Sequence, residues 1–110
     1  MSDVFLYLLF TPLAWALCAD GIALAVSIQR RAKGAGVAAG TLLLFDGLPL
    51  AIALAPGGYG WCEYVGYGVL SLHLFAISIA ASVDPGRIVG LHILATVFFC
   101  AHLFFLVNAP

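Results

Sequence analysis

Charge is scarce in this sequence. Among 110 residues there are 4 lysines and arginines and 5 aspartates and glutamates, so that 8% of the chain is charged while 65% is hydrophobic. Soluble domains carry about 25% charged residues, and this chain has too little polar surface to cover a soluble fold. Its net charge of -1 also argues against nucleic acid as a partner, because nucleic acids are bound through basic surfaces. We therefore expect the lipid bilayer to contact most of its surface.

The sequence also lacks the motifs of common enzymes. It contains no HExxH, no GxSxG and no glycine-rich phosphate loop followed by lysine, so we predict no catalytic residue and lean against an enzyme. Cys18, Cys62 and Cys100 have no CxxC spacing, and His92 and Cys100 lie about 12 Å apart along a helix. We predict no metal site, since one would need ligands from several helices, and we leave open whether Cys62 forms a disulfide with another chain.

Four long apolar runs dominate what the sequence does contain. They cover residues 4–28, 37–55, 64–83 and 88–107. Each is close to the roughly 20 residues that cross a bilayer as a helix, and the segments between them carry charge, proline or glycine. The sequence thus predicts an all-α membrane protein, with a single domain over residues 1–110 that forms an antiparallel bundle of four transmembrane helices.

Charged and aromatic residues predict the orientation of these helices. All basic residues fall in the first and third connections, at Arg30, Arg31, Lys33 and Arg87. Because basic connections stay on the cytoplasmic side, we expect residues 29–36 and 84–87 to be cytoplasmic and both termini to lie on the opposite side, in a bacterial inner membrane. Aromatic residues at the second connection suit the opposite membrane interface; they are Tyr59, Trp61, Tyr64 and Tyr67.

Two prolines fall inside the first two runs. Pro12 and Pro49 each remove a helical hydrogen bond, and we predict a kink at both. Pro49 closely follows Asp46-Gly47, a pair that repeats Asp20-Gly21 of the first run. Repeated segments in antiparallel helices are typical of transporters, although we favour chance as the explanation of so short a repeat.

Ionisable residues within the apolar runs are the candidate functional residues, because hydrocarbon tolerates them only with a partner or a water-filled cavity. The candidates are Asp20, Asp46, Glu63, His73, His92 and His102. A helical rise of about 1.5 Å per residue places Asp46 and His73 together near the midplane. The same estimate pairs Asp20 with His92 toward the basic connections. It pairs Glu63 with His102, less closely, toward the other side.

Three functions are compatible with these pairs, and we favour the first, with the other two as alternatives. The first is an accessory subunit of a larger membrane complex, in which the pairs dock helices or only satisfy buried hydrogen bonds, with other membrane subunits or further copies of the chain as partners. The second is a small oligomeric channel or transporter that moves protons or another cation along the Asp/His residues. The third is binding of haem or another tetrapyrrole by His73 with His92 or His102.

Overall fold

The computed structural model describes residues 2–109, and Met1 and Pro110 lie outside the described residues. Within them the chain is helical and contains no β-strand. The helices are α1 (Asp3–Gln29), α2 (Lys33–Phe45), α3 (Leu48–Leu54), α4 (Tyr59–Ala81) and α5 (Arg87–Val107). The Ser2 hydroxyl caps the start of α1 by accepting a hydrogen bond from the Phe5 N–H at 3.2 Å.

Four stretches of helix are long and apolar enough to cross a membrane, namely α1, α2 together with α3, α4, and α5. The shortest, α5, has 21 residues and is about 32 Å long at about 1.5 Å per residue. The hydrocarbon core of a bilayer is about 30 Å thick. Each predicted apolar run thus overlaps one stretch of helix that is long enough to span the bilayer.

The second stretch is interrupted between Phe45 and Leu48, where α2 ends and α3 begins. Pro49 occupies the first turn of α3, where its missing N–H costs nothing, but the same proline cannot continue the hydrogen-bonding pattern of α2. The predicted kink at Pro49 is therefore a break. Pro12, in contrast, lies inside α1, which continues to Gln29.

The helices pack in a closed ring. α1 contacts α2 and α5, while α4 contacts α5, α2 and α3. Consecutive helices joined by connections of a few residues pack side by side, so they run in opposite directions, and the last helix returns to the first. Small residues line the contacts near the basic end, where Ala23, Ala39 and Ala80 share an apolar cluster with Val26 and Ile88.

The first and third connections meet at one end of this ring. An Arg30 Nη2 atom lies 2.8 Å from Asp84 Oδ2, and Asp84 Oδ1 accepts a hydrogen bond from the Arg87 N–H at 2.9 Å. The Arg87 N–H and the Arg30 guanidinium together hold the pKa of Asp84 below its usual range. This ion pair brings the two basic connections to the same end of the molecule.

The outer surface is apolar along the helices. Large hydrophobic side chains such as Leu44, Leu74 and Phe104 are exposed by 79%, 58% and 62%. Such a surface in water would be costly, whereas lipid tails solvate it. At the end opposite the Arg30–Asp84 pair, Tyr59, Trp61, Tyr64 and Tyr67 of α4 are exposed as well.

Candidate functional site: a buried Asp–His cluster

Five of the six candidate residues lie inside the helical ring. Their side chains are fully buried, with 0% of the surface exposed, and they are Asp20, Asp46, His73, His92 and His102. α1 supplies Asp20, the break after α2 supplies Asp46, α4 supplies His73, and α5 supplies His92 and His102. All four helical stretches thus direct an ionisable group toward one interior.

Asp46 and His73 form a direct side-chain contact in this interior. The Oδ1 atom of Asp46 lies 2.7 Å from the Nε2 atom of His73. Asp46 ends α2, with its own N–H bonded to the Leu42 carbonyl at 2.9 Å, so the helix break points its side chain toward α4. The predicted pairing of these two residues is confirmed.

A threonine holds the other side of the His73 ring. The Oγ1 atom of Thr96 lies 3.2 Å from His73 Nδ1, and the same hydroxyl donates to the His92 carbonyl at 2.7 Å. Because the single hydroxyl proton is used on that carbonyl, Thr96 accepts from His73, and Nδ1 must carry the proton. His73 Nε2 is then the ring nitrogen that faces Asp46.

Asp20 and His92 approach each other without a hydrogen bond. Asp20 Oδ1 lies 3.9 Å from His92 Nδ1, a separation too long for a hydrogen bond. Neither carboxylate oxygen of Asp20 and neither ring nitrogen of His92 has a hydrogen-bond partner in the described structure. The predicted Asp20–His92 pairing is therefore a proximity of two unsatisfied groups, each of which is costly to bury alone.

The two aspartates belong to one cluster. A carboxylate oxygen of Asp20, one of Asp46 and a ring nitrogen of His73 lie within 4.8 Å of one another. With His92 beside Asp20, the cluster contains two carboxyl groups and two imidazoles. We call Asp20, Asp46, His73 and His92 the Asp–His cluster.

His102 lies apart from the Asp–His cluster. Its Nδ1 atom donates to the Leu9 carbonyl at 2.7 Å, on the turn of α1 that precedes Pro12, where proline disturbs the helical hydrogen bonds. Phe99 lies between the two histidines, with ring centroids 5.0 Å from His73 and 6.4 Å from His102. The interior is thus a cluster and a separate histidine, not a continuous ladder.

The predicted pairing of Glu63 with His102 is wrong. Glu63 is exposed on the outer face of α4 and accepts a hydrogen bond from the Tyr67 hydroxyl at 2.5 Å. Depth along the helix placed the two residues at similar levels, but the helical rotation of α4 turns Glu63 away from the interior. A carboxylate on this outer face at the end of a helix can reach polar surroundings.

Haem ligation by these histidines stays a prediction, and the geometry shows what it would require. Both ring nitrogens of His73 are engaged, one by Asp46 and one by Thr96, and Phe99 packs against the ring. An axial bond to iron would have to replace one of these hydrogen bonds. His92 and His102 each retain at least one ring nitrogen without a partner.

Comparison of the chain with protein families, curated proteins and solved structures finds no match. The site is therefore interpreted from its own chemistry.

Sequence reasoning missed Thr96 and Phe99, although their spacing carried a signal. His92, Thr96 and Phe99 follow one another at intervals of four and three residues on α5, which places them on one helical face.

The Asp–His cluster lies between two apolar layers. On α1, Asp20 is flanked by Ala16 on one side and Ala23 on the other, each of which belongs to a separate buried apolar cluster. Phe99 closes the cluster on the side of His102. The arrangement is thus an enclosed polar centre in which carboxylate oxygens and ring nitrogens lack hydrogen-bond partners. Such a centre suits the binding of a small positive ion.

Proposed function

We propose that this chain is an integral membrane protein, a bundle of four antiparallel transmembrane helices with its basic connections on the cytoplasmic side of a bacterial inner membrane. The exposed apolar surface of the helices supports the membrane setting. The Arg30–Asp84 pair supports a common side for the two basic connections, and the exposed aromatic residues of α4 suit the opposite interface.

Within that bundle, the proposed function is the movement of a small cation, a proton or a metal ion, through the Asp–His cluster. The observation that carries this proposal is the burial of two carboxyl groups whose oxygens remain largely without hydrogen-bond partners. Two carboxylates beside each other in a dry interior are strongly unfavourable unless protons or other cations neutralise them, so the cluster favours the uptake of positive ions. Ionisable residues that face the interior of a membrane bundle mark ion pathways.

A discontinuous helix gives further support. Broken membrane helices in transporters place their ends and side chains at the ion site near the midplane. Here the break between α2 and α3 positions Asp46, one of the two acids of the cluster.

Flux measurements in liposomes test this function. The purified chain is reconstituted with internal reporters for protons or for divalent metal ions, alongside Asp20→Asn and the matched control Glu63→Gln, which alters an exposed acid outside the cluster. We expect cation flux above that of protein-free liposomes, at least about tenfold slower in Asp20→Asn and unchanged in Glu63→Gln. Folded wild-type protein that gives only the protein-free rate for both kinds of ion would contradict the proposal.

A second candidate function is an accessory subunit of a larger membrane complex. The closure of the cluster by Phe99 and by the apolar layer around Ala23 favours it, because conduction requires these layers to open whereas a structural role does not. Gentle purification from the native membrane distinguishes the two. Stable co-purification with other membrane subunits favours the accessory function, and a chain that purifies alone favours transport.

A further inference from the structure

The Asp–His cluster has the dimensions of a metal site. Its three closest donor atoms, from Asp20, Asp46 and His73, all lie within 4.8 Å of one another. Ligands bound at about 2.1 Å from one tetrahedral ion are about 3.4 Å apart. A movement of less than about 1 Å by each side chain is therefore enough for all three atoms to reach a single ion.

Further polar atoms without hydrogen-bond partners lie beside these three ligand atoms. Both oxygens of Asp20, one oxygen of Asp46 and both ring nitrogens of His92 lack a hydrogen-bond partner, although all these side chains are fully buried. His92 Nδ1 is 3.9 Å from Asp20 Oδ1, about 0.5 Å more than the separation of two ligands of one tetrahedral ion. Apart from a proton shared between the carboxyl groups of Asp20 and Asp46, nothing in the described structure satisfies these groups, and native interiors rarely leave so many polar atoms together without partners.

The surroundings of His73 are those of a metal ligand. A histidine that binds a metal usually donates its other ring N–H to a fixed acceptor, which sets the tautomer and the ring orientation. Thr96 provides that acceptor at Nδ1, and its own hydroxyl is held by the His92 carbonyl. Nε2 faces the carboxylates, and a metal ion bound there would replace the proton that Nε2 shares with Asp46 Oδ1.

Charge and donor type define the ion. A divalent cation neutralises two carboxylates, whereas a monovalent ion leaves one negative charge in the interior. Calcium takes six to eight oxygen ligands and magnesium keeps several waters, neither of which suits an enclosed set with two imidazoles. Imidazole nitrogens together with carboxylates suit first-row transition metals, and Zn²⁺ accepts four such ligands in tetrahedral geometry.

We propose that Asp20, Asp46 and His73 bind one divalent transition-metal ion, that the adjacent His92 completes the site by a side-chain movement toward it, and that Zn²⁺ is the best fit to these four donors. This inference rests on the proposed cation function of the cluster and names the class of ion. The ligands come from all four helical stretches, so binding ties the whole bundle together.

Metal binding to the full chain in detergent micelles tests the proposal. The protein is stripped with a chelator and loaded with Zn²⁺, and bound zinc is counted by elemental analysis after desalting. Co²⁺ replaces Zn²⁺ in a parallel sample, because its visible absorption reports the coordination geometry. Asp20→Asn and His92→Gln are the informative variants, since these residues make no hydrogen bond whose loss would unfold the protein, and Glu63→Gln is the matched control.

We expect about one zinc ion per chain in the wild type and in Glu63→Gln, with the affinity of Asp20→Asn and of His92→Gln lower by at least about tenfold. Wild-type protein that retains no zinc, or an Asp20→Asn variant that binds zinc as tightly as the wild type, would overturn the proposal. The result separates it from the transport function. Zinc binding without flux upholds the site and contradicts transport, while proton flux without zinc binding does the reverse.

Discussion

The contact between Asp46 and His73 leads to a quantitative prediction about stability. Asp46 Oδ1 and His73 Nε2 lie 2.7 Å apart, and both side chains are fully buried. Hydrogen bonds between transmembrane helices average about 0.6 kcal/mol and reach about 1.7 kcal/mol, whereas removal of one partner of a buried ion pair in a soluble protein costs about 3–5 kcal/mol. Because this contact is short and involves ionisable groups, we expect a coupling energy of about 1–2 kcal/mol, at the upper end of the membrane range.

A double-mutant cycle measures that coupling. Asp46→Ala, His73→Ala and the double variant are unfolded in mixed micelles with increasing denaturing detergent, and the free energy of unfolding is followed by helical circular dichroism. The control cycle pairs Asp46→Ala with His102→Ala, which should be additive within about 0.5 kcal/mol because the two residues share no contact. Equal coupling in both cycles, or a coupling below about 0.3 kcal/mol for Asp46 with His73, would refute the assigned contact.

Three further perturbations test other parts of the structure by the same unfolding measurement. Thr96→Val removes the acceptor for the Nδ1–H of His73 and should lower the free energy of unfolding by about 0.5–1.7 kcal/mol. Thr96→Ser keeps the hydroxyl and should restore most of that loss. A Cβ atom on Gly58 would lie 1.8 Å from a backbone oxygen of α3, so Gly58→Ala should cost about 1–3 kcal/mol, whereas Gly60→Ala, with open space around it, should cost less than half as much. The lowered pKa of Asp84 means that its pairing with Arg30 stabilises the fold above about pH 4 and is lost as the pH falls below it. Asp84→Asn should therefore show a flatter loss of stability on acidification than the wild type; identical slopes would contradict that assignment.

The fold could be predicted largely because hydrocarbon-length apolar runs and their breaks are strong signals. The observed starts of two helices differ from the predicted ones, because charged residues, glycine and proline were taken to exclude helix. α2 begins at Lys33, four residues before the predicted start, since a charged side chain at a helix end can extend to the polar interface. α4 begins at Tyr59, because the glycine and proline signals end the preceding helix without preventing the next from starting.

The sequence predicts the depth of each site residue along its helix but not the direction in which its side chain points. Helical rise gives the depth of each residue, and depth was sufficient to pair Asp46 with His73. It does not give the rotation of the helix, so Glu63 was placed beside His102 although it lies on the outer face of α4. The two Asp-Gly pairs also differ in structure although they are alike in sequence. Asp20-Gly21 continues in helix while Asp46-Gly47 ends one, because only the second is followed by Pro49.

X-ray absorption at the zinc edge tests most directly whether the Asp–His cluster is a cation site. The competing ligands in this chain are its three free cysteines, Cys18, Cys62 and Cys100. We predict a first shell of oxygen and nitrogen alone at about 2.0–2.1 Å, with the outer-shell signal of two imidazoles, because the cluster contains no sulfur. A sulfur shell at about 2.3 Å, or zinc surrounded by oxygen atoms without imidazole, would place the ion elsewhere and contradict the account.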